Sequence, residues 1–210
     1  MRALVFDFDG LIVDSETPEY LCWKQVFEDH GQALPVEDWV HVVGGAVLVD
    51  MRLELESRVG RPLDWGPVNE RRIAHYSSIF DQQALLPGVQ ALFDAGRSAG
   101  WKIGVASNSS VDWVGRGLKR FGLDAYVQAL RGRDTAQRPK PNPDPYLEVL
   151  DELGARAKLS YGFEDSATGV AAAKAAGLTV VAVPNWLTRH QDLRAAHHVL
   201  ESLMDFKLPG

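Results

Sequence analysis

Two aspartates stand one residue apart near the start of the chain, directly after a short apolar run. The run Ala3–Phe6 is followed by Asp7, Phe8, Asp9 and Gly10. Like charges this close repel each other, so such a pair normally binds a cation or shares a proton. The alternative is a simple Asp-Gly turn with both carboxylates in solvent, because Asp-Gly is common in turns. The other polar clusters of the chain must decide between these two interpretations.

Two of these clusters contain groups that can bind phosphate. Ser107 and Asn108 follow an apolar run and precede a predicted helix, and a hydroxyl with free backbone amides at a helix N-terminus can bind phosphate oxygens. Ordinary helix capping is the alternative for this pair. Lys140 stands among prolines at positions 139, 141, 143 and 145, which restrict its backbone. A lysine held in this way is suited to pair with a phosphate or a carboxylate, although it could also be an ordinary surface lysine.

A third cluster contains two adjacent carboxylates. Glu164 and Asp165 follow another apolar run, and Ser166 comes next. Neighbouring carboxylates beyond a buried strand resemble the ligands of a hard cation such as Mg²⁺. Asp165 or Ser166 could also cap the helix that follows, and capping is compatible with metal binding.

The elements that must position these clusters alternate along the chain. Apolar runs at 3–8, 103–107, 159–164 and 179–183 predict strands that are buried on both faces. Helical patterns follow at 89–99, 111–121, 143–153 and 167–176, and 198–200 could add an edge strand. Strands that alternate with helices predict a doubly wound, Rossmann-like α/β fold with a parallel sheet. In such a sheet, polar groups at the carboxyl ends of the strands are expected along one edge.

Residues 15–83 interrupt this alternation. Their apolar residues recur at helical spacing, and no convincing strand is visible. We therefore predict an α/β core domain formed by residues 1–14 and 84–210, and an inserted, all-helical cap domain formed by residues 15–83. An insertion directly after an acid-bearing strand is well placed to act as a lid.

Composition and charge exclude several classes of function. The 210 residues are 46% hydrophobic and 24% charged, which is ordinary for a soluble globular protein. A net charge of −6 argues against a nucleic-acid partner, which would require a basic surface. The single cysteine, Cys22, excludes a disulfide framework and a thiolate metal cluster, and we expect it to be buried. The sequence shows no signal-peptide pattern and no membrane-length apolar run, so we expect a cytoplasmic protein without a membrane partner. From the size of the chain we expect a monomer.

The motifs occur in the order Asp-x-Asp-Gly, Ser-Asn, Lys-Pro and Glu-Asp-Ser. This ordered set resembles the haloacid dehalogenase superfamily, specifically its β-phosphoglucomutase-like branch of phosphatases and phosphomutases with a helical cap after the first motif. The resemblance spans nearly the whole chain, because the position of the cap, the return at Pro87-Gly88 and the stretch from Gly162 to Gly169 also match.

The resemblance implies a Mg²⁺-dependent phosphatase that hydrolyses a small phosphate monoester through an aspartyl-phosphate intermediate. Asp7 would be the nucleophile, and Asp9 the general acid and base. Phosphoryl oxygens would be bound by Ser107, by the amide of Asn108 and by Lys140. Mg²⁺ would be held by Asp7, the backbone carbonyl of Asp9 and Asp165, with Glu164 close by or acting through water.

Two other functions remain open at this point. The first is a phosphomutase of the β-phosphoglucomutase type, but those mutases carry a hinge histidine where this chain has Glu19. They also carry an arginine just after a cap-loop glycine, whereas residues 46–48 after Gly45 are Ala, Val and Leu. Both differences favour a hydrolase. The second is a receiver-like signalling domain, which combines similar groups but is shorter and lacks a helical insertion.

The cap is expected to choose the substrate, and its candidate specificity residues are Glu16, Glu19 and Gly45. The segment from Asp14 to Leu86 contains 13 acidic and 6 basic residues. Acidic groups near the hinge suit a second phosphate poorly. We therefore predict a small phosphorylated metabolite with one phosphate and with hydroxyl or amine groups, and sugar phosphates are the leading class.

Overall fold

The computed structural model of the protein describes residues 1–40, 42–43 and 49–209. The strands are β1 (Ala3–Phe6), β2 (Lys102–Ala106), β3 (Ala129–Arg131), β4 (Tyr161–Glu164), β5 (Thr179–Ala182) and β6 (His198–Val199). They form one parallel sheet in the order β3-β2-β1-β4-β5-β6. The predicted doubly wound α/β fold is therefore confirmed, and β1 lies in the interior of the sheet between β2 and β4.

Eight α-helices accompany the sheet within the described residues. They are α1 (Glu16–Asp29), α2 (Val36–Trp39), α3 (Met51–Val59), α4 (Trp65–Phe80), α5 (Val89–Ser98), α6 (Val111–Arg120), α7 (Asp144–Glu152) and α8 (Ala167–Ala175). Short 3₁₀ turns occur at Ala157–Leu159, Thr188–His190 and Leu203–Asp205. Helices α5 to α8 match the helical patterns of the sequence to within about two residues. Strand β3 was not predicted, because three residues are too few to show a periodic pattern.

The sheet is covered on both faces because successive side chains of a strand point in opposite directions. Leu4 and Phe6 of β1 belong to one apolar cluster, which also contains the buried residues of α5 and α6. Ala3 and Val5 belong to the cluster on the other face, with the buried residues of α7 and α8. All four side chains of β1 are fully buried. The strand that precedes Asp7 is thus fixed from both sides.

Residues 15–83, which we call the inserted segment, contain helices α1 to α4. Their aromatic and aliphatic side chains, among them Trp23, Phe27 and Trp39, form an apolar cluster of their own, which Leu187 joins from outside the segment. Cys22 is buried, as predicted. The division into a core and a cap domain stays a prediction. The separate apolar cluster is the kind of packing that a cap requires.

The chain leaves and re-enters the α/β part of the molecule at neighbouring points. Val13 bridges to Leu85 in antiparallel fashion, and the amide of Leu86 donates to the carbonyl of Ile12 at 3.0 Å. The two connections of the inserted segment are therefore hydrogen-bonded to each other. In the described part of the chain, no helix combines the length and the apolar character that a bilayer crossing requires.

Candidate active site

The polar clusters meet at the carboxyl edge of the sheet. Asp7 follows β1, Ser107 follows β2, and Glu164 ends β4. Because β1 lies between β2 and β4, Asp7 has a strand end on each side. A cavity of about 180 Å³ opens at this edge and is lined by Asp7, Asp9, Glu16, Val42, Ser107, Asn108, Ser109, Lys140, Asp165 and Ser166. Most of the residues that the sequence predicted for the site therefore line a single cavity.

Lys140 is the centre of a buried ion-pair network below this cavity. Its ammonium group donates to Asp7 Oδ1 at 2.7 Å and to Glu164 Oε1 at 2.5 Å. Lys140 is 4% exposed, Asp7 7% and Glu164 0%. Burial opposes the charge of Lys140, but the carboxylates of Asp7 and Glu164 outweigh it and raise the pKa of Lys140 above its ordinary value. Lys140 is therefore a charged group and not a surface lysine.

Two neighbours hold this network in place. The side chain of Asn108 accepts a hydrogen bond from the amide of Lys140 at 2.9 Å and donates to the carbonyl of Lys140 at 3.2 Å. The hydroxyl of Tyr146 donates to Glu164 Oε1 at 2.5 Å. Neither role was predicted from the sequence. Glu164 thus faces Lys140 and Tyr146 and does not line the cavity.

The carboxylate of Asp9 accepts hydrogen bonds from three side chains. Ser15 Oγ donates to Oδ1 at 2.6 Å, and the indole nitrogen of Trp113 donates to the same oxygen at 3.0 Å. Ser107 Oγ donates to Oδ2 at a longer distance of 3.3 Å. Asp9 is consequently held apart from the Lys140 network by its own set of donors. The sequence did not predict the contributions of Ser15 and Trp113.

The donor set suits a divalent cation. One carboxylate oxygen each from Asp7, Glu164 and Asp165 lie within 4.8 Å of one another. Burial raises the pKa of Asp7 to about 7 against the opposing charge of Lys140. Burial, together with the charges of Asp7 and Glu164, also raises the pKa of Asp165 well above its ordinary value. One ammonium group among the described residues, that of Lys140, contacts this cluster of hard oxygen ligands and leaves its negative charge undercompensated. The residues therefore fit Mg²⁺.

Asp165 is oriented by a residue that the sequence did not predict. Asn185 Nδ2 donates to Asp165 Oδ2 at 2.8 Å and to the carbonyl of Gly10 at 3.4 Å. The amides of Leu187 and Thr188 donate to Asn185 Oδ1 at 2.9 and 3.1 Å, which fixes the amide plane. Asn185 lies three residues beyond β5, so a search of every strand end would have found it.

The two acidic residues predicted for specificity lie in different environments. Glu16 lines the cavity, where burial and the charges of Asp9 and Asp7 raise its pKa to about 8. Glu19 lines two adjoining clefts. Burial and the neighbouring carboxylates thus disfavour the charged form of Glu16, whereas the carboxylate of Glu19 has hydrogen-bond donors of its own.

The partners of Glu19 come from helices α1 and α4. Its Oε1 accepts hydrogen bonds from the indole of Trp23 at 3.0 Å and from the guanidinium of Arg72 at 2.9 Å. This ion pair compensates the charge of Glu19. Gly45, the third predicted specificity residue, lies outside the described residues.

Most of the chain matches a known protein family. Residues 4–183 match the family model described as haloacid dehalogenase-like hydrolase. The chain is 36% identical to YhcW of Bacillus subtilis (strain 168), over 99% of this chain and 94% of YhcW. It is 30% identical to hexitol phosphatase B of Escherichia coli (strain K12), over 87% of this chain and 83% of that protein.

A solved structure shows the same fold. The crystal structure of CbbY from Rhodobacter sphaeroides in complex with phosphate superposes with a TM-score of 0.75 and covers 98% of this chain and 96% of CbbY. The two sequences are 23% identical. The α/β sheet and the helices of the inserted segment therefore recur together in a protein of different sequence.

Proposed function

The chain belongs to the haloacid dehalogenase-like hydrolase family, and we propose that it hydrolyses a small sugar phosphate or similar monoester with Mg²⁺ through an aspartyl-phosphate. It is a phosphoric monoester hydrolase by class. The observation that supports the proposal most directly is the buried contact of Lys140 with Asp7 at the carboxyl end of β1. A carboxylate can approach a phosphate dianion only where cations offset the repulsion between them.

In the proposed first step, a carboxylate oxygen of Asp7 attacks phosphorus and the bond from phosphorus to the ester oxygen breaks. Asp9 donates its proton to the departing oxygen, so that an alcohol leaves. In the second step, Asp9 takes a proton from water as the water oxygen attacks phosphorus. Inorganic phosphate is released and the carboxylate of Asp7 is regenerated.

The phosphoryl oxygens would be held by three groups around the cavity. Lys140 would offset their charge, and Ser107 and the backbone amide of Asn108 would donate hydrogen bonds. Ser107 Oγ already accepts a hydrogen bond from the amide of Ser109 at 2.9 Å, which fixes its orientation. Because phosphoryl transfer requires little covalent chemistry from the protein, this positioning would supply much of the catalysis.

Asp7, Asp165 and the backbone carbonyl of Asp9 would hold Mg²⁺, with Glu164 close by. When bound, the ion neutralises the phosphoryl oxygens and favours attack by an anionic nucleophile. The cluster of three carboxylates supports this assignment.

Hydrolysis is favoured over phosphoryl transfer between two sugar positions by the state of Glu19. This residue stands where β-phosphoglucomutase-like mutases carry their hinge histidine. Its carboxylate accepts hydrogen bonds from Trp23 and Arg72. A carboxylate held in this way is a poor substitute for a mobile imidazole. The name of hexitol phosphatase B, at 30% identity, supports phosphorylated sugars and sugar alcohols as the substrate class.

The test is release of inorganic phosphate from a panel of small esters, with Mg²⁺ and with a chelator. The panel contains hexose phosphates, hexitol phosphates, phosphoglycolate, nucleoside monophosphates and a sugar bisphosphate. We expect Mg²⁺-dependent turnover with a preference for sugar or sugar-alcohol monophosphates. Absence of turnover with every ester, or isomerisation of a sugar phosphate without phosphate release, would contradict the proposal.

A further inference from the structure

Helix α6 carries a tryptophan that contacts Asp9. Trp113 is the third residue of α6, and its indole N–H donates to Asp9 Oδ1 at 3.0 Å. The helix begins at the Ser110 cap, whose hydroxyl accepts from the amide of Trp113 at 3.3 Å. The position of the indole is therefore tied to the same helix N-terminus that would bind the phosphoryl group.

The hydrogen bonds to Asp9 distinguish its two carboxylate oxygens. Oδ1 accepts from Ser15 at 2.6 Å and from Trp113 at 3.0 Å. Two donors occupy both lone-pair directions of a carboxylate oxygen. Among the described residues, Oδ2 has a single long hydrogen bond of 3.3 Å, from Ser107 in the cavity wall. Oδ2 is consequently the oxygen available for proton transfer, and Trp113 helps to determine this.

The indole ring also packs against helix α4 of the inserted segment. The ring centroid of Trp113 lies 4.9 Å from that of Phe80 and 5.9 Å from that of Tyr76. Phe80 and Tyr76 themselves stack at 5.6 Å. Trp113 therefore touches both the proposed acid and base and the segment that would cover the substrate.

The C-terminal end of α4, which carries Phe80, is hydrogen-bonded to α6. Arg120 donates to the carbonyl oxygens of Phe80, Asp81 and Gln83 at 2.9, 2.8 and 2.9 Å. Phe80 is therefore attached to the same helix as Trp113. Tyr76 lies one turn further into α4, away from this attachment.

We propose that Trp113 is a positioning residue: its indole N–H holds Asp9 Oδ1, which leaves Oδ2 to face the leaving group, and Tyr76 and Phe80 pack on the indole ring. This inference rests on the proposed function, because it assigns a partner to the proposed acid and base. Its consequence is specific: loss of the indole N–H impairs protonation of the leaving group and leaves phosphate binding unchanged.

The test compares kcat/KM for phenyl phosphate and p-nitrophenyl phosphate in the Mg²⁺-loaded wild type and in Trp113→Phe. Phenylalanine keeps an aromatic ring against Tyr76 and Phe80 but has no N–H donor. Because kcat/KM covers the steps up to departure of the leaving group, it reports on proton donation by Asp9. Phenolate needs that proton more than p-nitrophenolate does, since it is the stronger base.

We expect kcat/KM for phenyl phosphate to fall about tenfold, the effect of one lost hydrogen bond to a charged group. The value for p-nitrophenyl phosphate should fall less than about threefold, since a weakly basic leaving group depends little on general-acid catalysis. The Ki of inorganic phosphate should not change. Equal losses with both esters, or no loss with either, would overturn the inference while the proposed function stands. A wild type that releases no phosphate from any ester would overturn both.

Trp101→Phe is the matched control. Trp101 is buried and packs against Tyr161 at the opposite end of the sheet, just before β2. Its substitution should change kcat/KM for both esters by the same small factor.

A measurement on the indole itself keeps the inference testable if Trp113→Phe does not fold. In protein labelled with ¹⁵N-tryptophan, Asp9→Ala removes the acceptor of the Trp113 indole N–H. We expect the indole resonance of Trp113 to shift and that of Trp101 to stay in place. An unchanged Trp113 resonance would show that the hydrogen bond is absent in solution and would overturn the inference.

Discussion

At the scale of single residues, the site depends on how few cations face its carboxylates. Within the part of the chain that the structure describes, Lys140 is the one cationic side chain that contacts Asp7 and Glu164, and Asp165 accepts a hydrogen bond from the neutral amide of Asn185. Burial makes each uncompensated charge expensive. We therefore expect some substitutions at this edge to act mainly on activity and others mainly on metal affinity.

The first residue-scale prediction concerns Asp7. Asp7→Asn should lower turnover by about 10,000-fold or more, as expected for loss of a covalent nucleophile. The fold should persist, because the amide removes a carboxylate that burial disfavours and Lys140 keeps Glu164 as its partner. Steady-state phosphate release and circular dichroism provide the two measurements. Asp112→Asn, on the exposed face of α6, should leave both unchanged, and substantial activity in Asp7→Asn would refute the assignment.

The second prediction concerns Asn185. Asn185→Leu should weaken Mg²⁺ binding by about 10- to 100-fold, the usual effect of losing a residue that orients a metal ligand. Titration calorimetry of the metal-free protein measures this directly. Thr188→Val is the matched control, because Thr188 Oγ1 accepts from the amide of Asn185 at 3.0 Å in the same turn without touching Asp165. Equal loss of Mg²⁺ affinity in both variants would show that the effect comes from disturbing the turn and not from losing the hydrogen bond to Asp165.

Sequence reasoning found the groups that directly follow an apolar strand and missed the groups that act through them. Asp7 and Ser107 were predicted because each stands at the end of a visible β pattern. Trp113 contacts Asp9 across 104 residues of chain, and Arg72 contacts Glu19 across 53. Nothing in the local pattern of a helix reveals a partner at that distance.

At the scale of elements, close approach of α8 to β4 sets the position of Glu164. A Cβ on Gly169, the third residue of α8, would overlap the carboxylate of Glu164. Only glycine leaves room for this buried acid beside the helix. The glycine at position 169 is thus explained by packing, which the sequence alone could not show.

Gly169→Ala should destabilise the fold by about 1–3 kcal/mol, because the added methyl group must displace a buried carboxylate. Gly115→Ala is the matched substitution, since a Cβ there meets no atom of the described residues within 4 Å. It should instead stabilise α6 by about 0.5–1 kcal/mol, the propensity difference between alanine and glycine. Urea unfolding at a fixed pH measures both changes. Destabilisation of similar size in both variants would contradict the packing explanation.

The predictability of the elements follows their length. The helices of about ten residues that pack on the sheet could be predicted to within about two residues, since each presents several turns of apolar spacing. Strand β3 has three residues and ends in Arg131, whose guanidinium pairs with Glu148 of α7 at 3.2 Å. Its place in the sheet is determined by pairing with β2, which is tertiary information.

At the scale of the whole molecule, the carboxyl cluster links stability, pH and metal. The pKa of Asp7 is raised from 3.8 to about 7 and that of Glu16 from 4.5 to about 8. The folded state therefore retains protons that the unfolded chain releases. Stability from these groups is fully present below the unfolded pKa values and is lost as pH rises through the folded ones.

We accordingly expect the Tm of the metal-free protein to fall between about pH 5 and pH 8. Mg²⁺ binds the deprotonated cluster, so the rise in Tm that it causes should be larger near pH 8 than near pH 5. Differential scanning fluorimetry in chelator and in Mg²⁺ measures both trends. In Asp7→Asn without metal, we expect Tm to fall less between about pH 5 and pH 8 than in the wild type. A Tm that rises over this range without metal would contradict the linkage.

The paired connections of the inserted segment have a consequence for how such a protein can change over evolutionary time. Val13 bridges to Leu85, and Leu86 is hydrogen-bonded to Ile12, so the two ends of the insertion are already side by side. In the absence of the insertion, a short hairpin turn would be enough to connect residue 13 to residue 85. Different helical segments can therefore be exchanged here while Asp7, Ser107 and Glu164 keep their places at the carboxyl edge of the sheet.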